Sequence, residues 1–278
     1  MRPADCFDVH HSGLEHAFHF SSSNNLDTVG ITVREQGLAA YETPVTDILI
    51  ELVKSSSGVI LDVGANTGLY TLAAAAANSA IQVIAFEPLA PVRDLLQRNI
   101  SLNSDLKPRI AIEPVGLSSQ VGSFSFYETI NNCGYVSTSS SFEPQHVDTV
   151  GDKFVEHVIR TITLDDFAQT LDGRRVSFMK IDVEGHEHAV ITGGRRFLAK
   201  HRPIFTVEVL SNSEKAPIDK FLLEESYLAF AMAPAVLRRS NHIMFFSDAW
   251  NHLLVPTEKQ DHIVALIRKL RLDMEPVE

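Results

Sequence analysis

Cysteine is nearly missing from this 278-residue chain: Cys6 and Cys133 stand far apart and in no Cys-x-x-Cys pair. That excludes a disulfide framework and a thiolate zinc site, and it suits a reducing compartment. Long hydrophobic runs are missing too. The most apolar stretch, residues 69–77, is far too short to span a bilayer and reads as a small-residue helix laid on a sheet. The N-terminus carries Asp5, Asp8 and several histidines where a secretory leader would carry basic residues and then an apolar core, so no leader is expected. Positive charge is in deficit, 24 Lys and Arg against 35 Asp and Glu, a formal net charge of −11 with His neutral. A field of that sign repels nucleic-acid phosphates and anionic membranes, and it favours a neutral or cationic small molecule, or a protein. The expectation is a cytoplasmic protein without nucleic-acid or membrane partners. Apolar residues, at 45%, are sufficient for a full α/β core.

Residues 1–40 are weakly periodic and rich in His, Ser and Asn, and are expected to form an N-terminal cap or arm, a candidate homodimer surface. His10, His11, His16 and His19 lack helical pairing with carboxylates, which favours a solvated or oligomer-facing arm over a metal site. Residues 41–278 are expected to form the main domain. A helix is predicted over 41–54, with Thr43 as N-cap and Pro44 in its first turn. Strands over 59–63, 83–86 and 109–115 then alternate with helices over 69–77 and 91–99. Such spacing predicts right-handed βαβ units and a mainly parallel, doubly wound sheet. Strands at 123–127 and 157–162 flank a polar loop over 131–141. The rhythm resumes with strand 176–183, helix 187–191, strand 204–209 and a helix within 213–225. Closing strands are expected at 228–232 and 242–246, and an amphipathic helix at 262–272.

The strongest motif is Leu61-Asp62-Val63-Gly64-Ala65-Asn66-Thr67-Gly68, a strand running through a glycine loop into a helix. Gly64 permits a sharp turn, and Gly68 permits close approach of a ligand or of the helix to the sheet. Asp62 is placed to accept hydrogen bonds from an ammonium or from loop amides. Glu87 ends the next strand, nineteen residues after Gly68, where an acid accepts both ribose hydroxyls of an adenosine. Nicotinamide-binding loops use G-x-G-x-x-G to carry a diphosphate, whereas here the spacing is G-x-x-x-G behind an acid that would repel one. S-adenosylmethionine, with its cationic tail, is the favoured cofactor, and a nicotinamide oxidoreductase or a non-catalytic binder of S-adenosylmethionine are the alternatives.

The segments Asp62-Val63-Gly64-Ala65-Asn66-Thr67-Gly68, Phe86-Glu87-Pro88 and Lys180-Ile181-Asp182-Val183-Glu184-Gly185-His186-Glu187 resemble those of FkbM-family methyltransferases. Weaker likenesses are Tyr41-Glu42, the loop residues Asn132, Gly134 and Ser137, and Thr163-Leu164-Asp165-Asp166. The resemblance covers about residues 41–210. It implies a class I, Rossmann-like methyltransferase fold, methyl transfer usually to a hydroxyl oxygen, and cofactor contacts at Asp62, Gly64, Asn66 and Glu87. Gly68, Pro88 and Asp182 are expected to complete the cofactor site, with Val115 and Gly116 bordering the adenine.

Asp182, Glu184 and His186 are the candidate acceptor-side residues, because ligands of open α/β sheets bind at the carboxyl ends of strands. Methyl transfer to an alcohol needs the hydroxyl proton removed, by a carboxylate or by His186, whose side chain titrates nearest neutrality. His186 also fits an ordinary helix start facing solvent. Asp182, Glu184 and Glu208 invite a Mg²⁺ reading, but a metal is not expected to be required. The long loop around Tyr135 is expected either to close over the substrate or to be disordered. The substrate expected is a hydroxylated small molecule, a sugar or secondary metabolite.

Overall fold

A computed structural model describes residues 4–130, 136, 140–142 and 153–277. The predicted loop residues Asn132, Gly134, Tyr135 and Ser137 lie outside these. The arm opens with a hairpin, β1 (Cys6–Val9) paired with β2 (Phe18–Ser21), and continues into α1 (Thr28–Gln36). Asp27 starts that helix by accepting from Val29 N–H at 3.0 Å. The arm is packed rather than solvated, because Phe18 and Phe20 are wholly buried in the same core as the main sheet. Its histidines pair with acids instead of facing water alone: His11 meets Asp47 at 2.9 Å and His16 meets Asp105 at 2.8 Å.

The predicted helix after the arm begins later than expected. Thr43 Oγ1 is turned back to Ala39 O, and Pro44 is the residue before α2 (Val45–Lys54). Next come β3 (Gly58–Val63), α3 (Leu69–Ala77), β4 (Ile81–Phe86), α4 (Ala90–Ser101) and β5 (Ile110–Glu113). A side sheet follows, of β6 (Gly116–Leu117), β7 (Gly122–Ile130) and β8 (Lys153–Ile162), ordered β6-β8-β7. The main alternation resumes with α5 (Leu164–Phe167), β9 (Val176–Ile181), α6 (Glu187–Thr192), α7 (Arg195–His201), β10 (Ile204–Glu208) and α8 (Ala216–Glu225). The chain ends with β11 (Tyr227–Met232), β12 (Val236–Ser240), β13 (Asn251–Pro256), α9 (Gln260–Leu270) and β14 (Asp273–Pro276).

The strand expected at 242–246 is not formed. Ile243 is buried, but its N–H donates to Asp219 Oδ1 at 2.6 Å instead of to a ladder. The neighbouring apolar run in β13 takes the place in the sheet. The nine-stranded order is β14-β12-β11-β13-β10-β9-β3-β4-β5. From β5 to β10 all pairings are parallel, whereas β13 runs antiparallel to both β10 and β11. Period-two alternation feeds two cores, one on each face. Ile60, Phe178, Phe230 and Leu253 pack with α2, α3 and α9, while Val59, Leu61, Phe205 and Leu254 pack with α6, α7 and α8. This is the doubly wound, Rossmann-like class I arrangement. The chain winds outward from β3 to β5 and returns beside β3 as β9, so a crevice opens at the carboxyl ends of those strands. No helix among the described residues is long and apolar enough to cross a membrane.

Candidate active site

That crevice holds a cavity of about 520 Å³, within the range of roughly 300–1,000 Å³ typical of small-molecule sites. The glycine loop forms one wall, and Thr28, Val29 and Thr32 of α1 another, so the arm encloses the site. Gly64, Asn66, Gly68, Glu87, Pro88, Val115, Gly116, Asp182 and Glu184 all line it. Asp62 and His186 do not.

Local backbone chemistry explains the loop. Gly64 has φ +79° and Gly68 φ +95°, the left-handed region that a Cβ disfavours. A Cβ on Gly64 would lie 1.8 Å from Asp182 O, so this glycine lets the loop press against the end of β9. At Gly68 the close neighbour is neither a ligand nor the sheet: a Cβ there would meet Leu96 Cδ1 of α4 at 2.4 Å. Glu87 ties the loop to β4. Its Oε2 accepts from Asn66 N–H at 3.0 Å and its Oε1 from Leu89 N–H at 2.9 Å. Burial pushes the Glu87 carboxyl up to about 7, against the lowering effect of those two amides.

Asp62 requires a correction. Alternation along β3 puts its side chain on the face covered by α3, where it is buried beneath the loop and not among the residues lining the cavity. Its Oδ2 accepts from Thr71 Oγ1–H at 2.5 Å, and its Oδ1 has no hydrogen-bond partner among the described residues. Burial raises its carboxyl, and the nearby Lys180 ammonium opposes that.

Lys180 was quoted in the motif but given no role by sequence reasoning. It pairs in register with Asp62 on β3 and Thr206 on β10, and its Nζ lies 2.6 Å from Asp182 Oδ2 and 4.9 Å above the Tyr70 ring. Asp182, Asp62 and Glu42 raise the ammonium pKa despite burial, so Lys180 is a fixed cation rather than a base. Glu42 belongs to the same group: it lines the cavity at φ +49° and accepts from Tyr70 O–H at 2.7 Å. Burial, then Asp182, raises the Glu42 carboxyl. A lone Lys in the apolar strand VSFMKI was the available signal for Lys180.

Oxygens of Asp182, Glu184 and Glu208 lie within 4.8 Å of one another. Burial raises Glu208 well above the carboxylate range, and Asp182 and Glu184 add to that. The turn carrying Glu184 is held by Glu187, whose Oε1 accepts from Val183 N–H at 2.9 Å and Gly185 N–H at 3.3 Å. His186 is not among the residues lining the cavity: its Nε2 lies 3.0 Å from Ser118 Oγ and its ring 4.8 Å from that of Phe142, which does line it.

Burial pushes Glu187 up to about 8, and the consequence for stability has a definite sign. The folded protein keeps a proton that the unfolded chain releases, so this contribution is full below about pH 4.5 and is lost as pH rises towards 8. Thermal unfolding between pH 5 and 8 should show the wild type weakening relative to Glu187→Gln, by at most about 1.4 kcal/mol per pH unit. Parallel pH profiles for the two proteins would contradict the assignment.

The residues fit S-adenosylmethionine: the cavity is adequate, the glycine loop borders it, and a buried acid stands at the end of β4 where ribose hydroxyls would donate. The family model for the methyltransferase FkbM domain matches residues 62–230. The AMB antimetabolite synthetase AmbE of Pseudomonas aeruginosa is 29% identical over 203 residues, covering 58% of this chain and 9% of that one. Methyltransferase sdnD of Sordaria araneosa is 28% identical over 162 residues, with 50% and 61% covered. The hexuronic acid methyltransferase AglP of Haloferax volcanii is 29% identical over 187 residues, with 66% and 68% covered. The match therefore spans less than two thirds of the synthetase and of sdnD. Among solved structures, methyltransferase FkbM from Methylobacillus flagellatus shares 16% identity at a TM-score of 0.47, covering 71% of this chain and 43% of that one. The nicotinamide alternative falls with the family match, which extends over more than half of the sequence: the chain belongs to the FkbM family of S-adenosylmethionine-dependent methyltransferases.

Proposed function

We propose that the enzyme transfers the methyl group of S-adenosylmethionine to a hydroxyl oxygen of a small molecule, a sugar or a hydroxylated secondary metabolite. The observation that carries this reading is one cavity with two chemically distinct halves. The glycine loop and Glu87 border the first, and Asp182, Glu184 and Glu208 the second. When bound, S-adenosylmethionine supplies an electrophilic methyl group on its sulfonium.

The chain's own residues do the rest. The glycine loop and Glu87, which line the cavity, would hold the nucleoside. The carboxylates orient the acceptor hydroxyl, and Asp182 takes its proton as the oxygen–carbon bond forms. Lys180 Nζ, 2.6 Å from Asp182 Oδ2, holds that carboxylate in position. The wall made by α1, Tyr41 and Glu42 excludes water. The acidic acceptor half favours a neutral hydroxylated acceptor over an anionic one. A relative named for a hexuronic acid supports the sugar skeleton of the acceptor, not its neutrality, since a uronate is anionic.

The test is incubation with S-adenosylmethionine and a panel of monosaccharides, glycosides, uronates and hydroxylated peptides or macrolides. Expected is release of S-adenosylhomocysteine that depends on a hydroxylated acceptor, with a methyl ether identified in the product by NMR. Methyl found on nitrogen or carbon, or no turnover on any hydroxylated acceptor by protein that binds S-adenosylhomocysteine, would reject the proposal.

A further inference from the structure

We propose that Asp182, Glu184 and Glu208 form a site for one divalent cation at the acceptor end of the cavity. Three observations meet there. The first is convergence: the residues come from the end of β9, the turn after it and the end of β10, yet each offers an oxygen within 4.8 Å of the others. Hard cations such as Ca²⁺, Mn²⁺ and Mg²⁺ take oxygen ligands of this kind. Two oxygens on opposite sides of Ca²⁺ are about 4.8 Å apart and those of Mg²⁺ about 4.2 Å. Separations bounded at 4.8 Å are compatible with either ion.

The second observation is that Glu208, a member of this group, has a fully buried Oε2 with no hydrogen-bond partner among the described residues. A buried carboxyl oxygen left without a donor gives up its hydration with nothing in return, and such atoms are rare in native folds. A bound cation removes that cost directly. The third observation is charge. Five carboxylates line the cavity, those of Glu42, Glu87, Asp182, Glu184 and Glu208, and among the described residues Lys180 is its one cationic lining group. Lys180 is engaged with Asp182 Oδ2, and an aspartate retains further lone pairs for a second partner.

The ion would hold two neighbouring oxygens of the acceptor and acidify the hydroxyl that is methylated. That role rests on the hydroxyl-acceptor reading, whereas ion binding itself does not.

The experiment titrates chelator-treated full-length protein with Mn²⁺, following free Mn²⁺ by electron paramagnetic resonance, and with Mg²⁺ and Ca²⁺ by calorimetry. Wild type, Glu208→Gln and Glu184→Gln are compared, each with S-adenosylhomocysteine affinity measured as the check on folding. Expected is one ion per chain, with affinity lowered at least about tenfold in either variant while S-adenosylhomocysteine still binds. No ion bound by wild type at millimolar concentrations, or equal affinity in wild type and variants, overturns the site. Ion binding without hydroxyl methylation would leave the site standing and remove its role. Hydroxyl methylation by protein that binds no ion would overturn the site and leave the hydroxyl-acceptor reading standing.

Discussion

Glu87→Ala is expected to weaken S-adenosylhomocysteine binding by about 10²- to 10⁴-fold, because two charge-assisted hydrogen bonds to ribose are each worth about 1.5–3 kcal/mol. The structure adds a second cost. In the cofactor-free protein the same carboxyl satisfies Asn66 N–H and Leu89 N–H, so alanine also strands two loop amides. Glu87→Gln keeps one oxygen acceptor and should fall between wild type and alanine. Binding should also depend on pH. The ionised carboxylate is the better acceptor, and burial holds this group at about 7. Wild-type affinity should therefore decline below that pH, by at most about tenfold per unit, and the glutamine variant should not follow. Calorimetric titration at pH 6, 7 and 8 measures all three expectations. Alanine binding within a factor of a few of wild type would remove Glu87 from the cofactor site.

Asp182→Asn is expected to lower kcat by about 10²- to 10⁴-fold, the usual contribution of a positioned acid or base. It should also destabilise the fold, since Lys180 is 5% exposed and loses its charged partner. Breaking a buried pair by removing one member costs about 3–5 kcal/mol. Asp182 retains 23% exposure, so the lower end applies. The two effects can be separated. Combining Asp182→Asn with Lys180→Met removes the orphaned ammonium and should recover much of the lost thermal stability, but no turnover. Turnover restored along with stability would mean that Asp182 serves only to hold Lys180, and the proton would then be assigned to Glu184 or Glu208.

These expectations divide according to how each residue could be known. The cofactor loop and Glu87 were legible in the sequence because their determinants are local. Gly64 and Gly68 supply positive φ at a strand-to-helix turn, and an acid follows directly after the next strand. The parallel half of the sheet was legible for a related reason, since a strand and helix in strict alternation have few ways to pack. The last third was harder. The apolar segments 242–246 and 251–256 look alike as sequence, and only competition for the open edge of β10 decided that the second became a strand.

The site beyond the loop could not be read so far. His186 is next to the acceptor motif in sequence but turned towards Ser118 in space. Asp62, read as a ligand contact, is buried beneath the loop with Lys180 as its neighbour in register. Glu42 reaches the same group from the segment before α2. By itself the sequence determined the fold class, the glycine loop and the acid that follows the next strand, because backbone dihedrals and strand periodicity act over a few residues. Tertiary structure alone decided which charges face one another, because that depends on strand order and register, and electrostatic interactions act between neighbours in space.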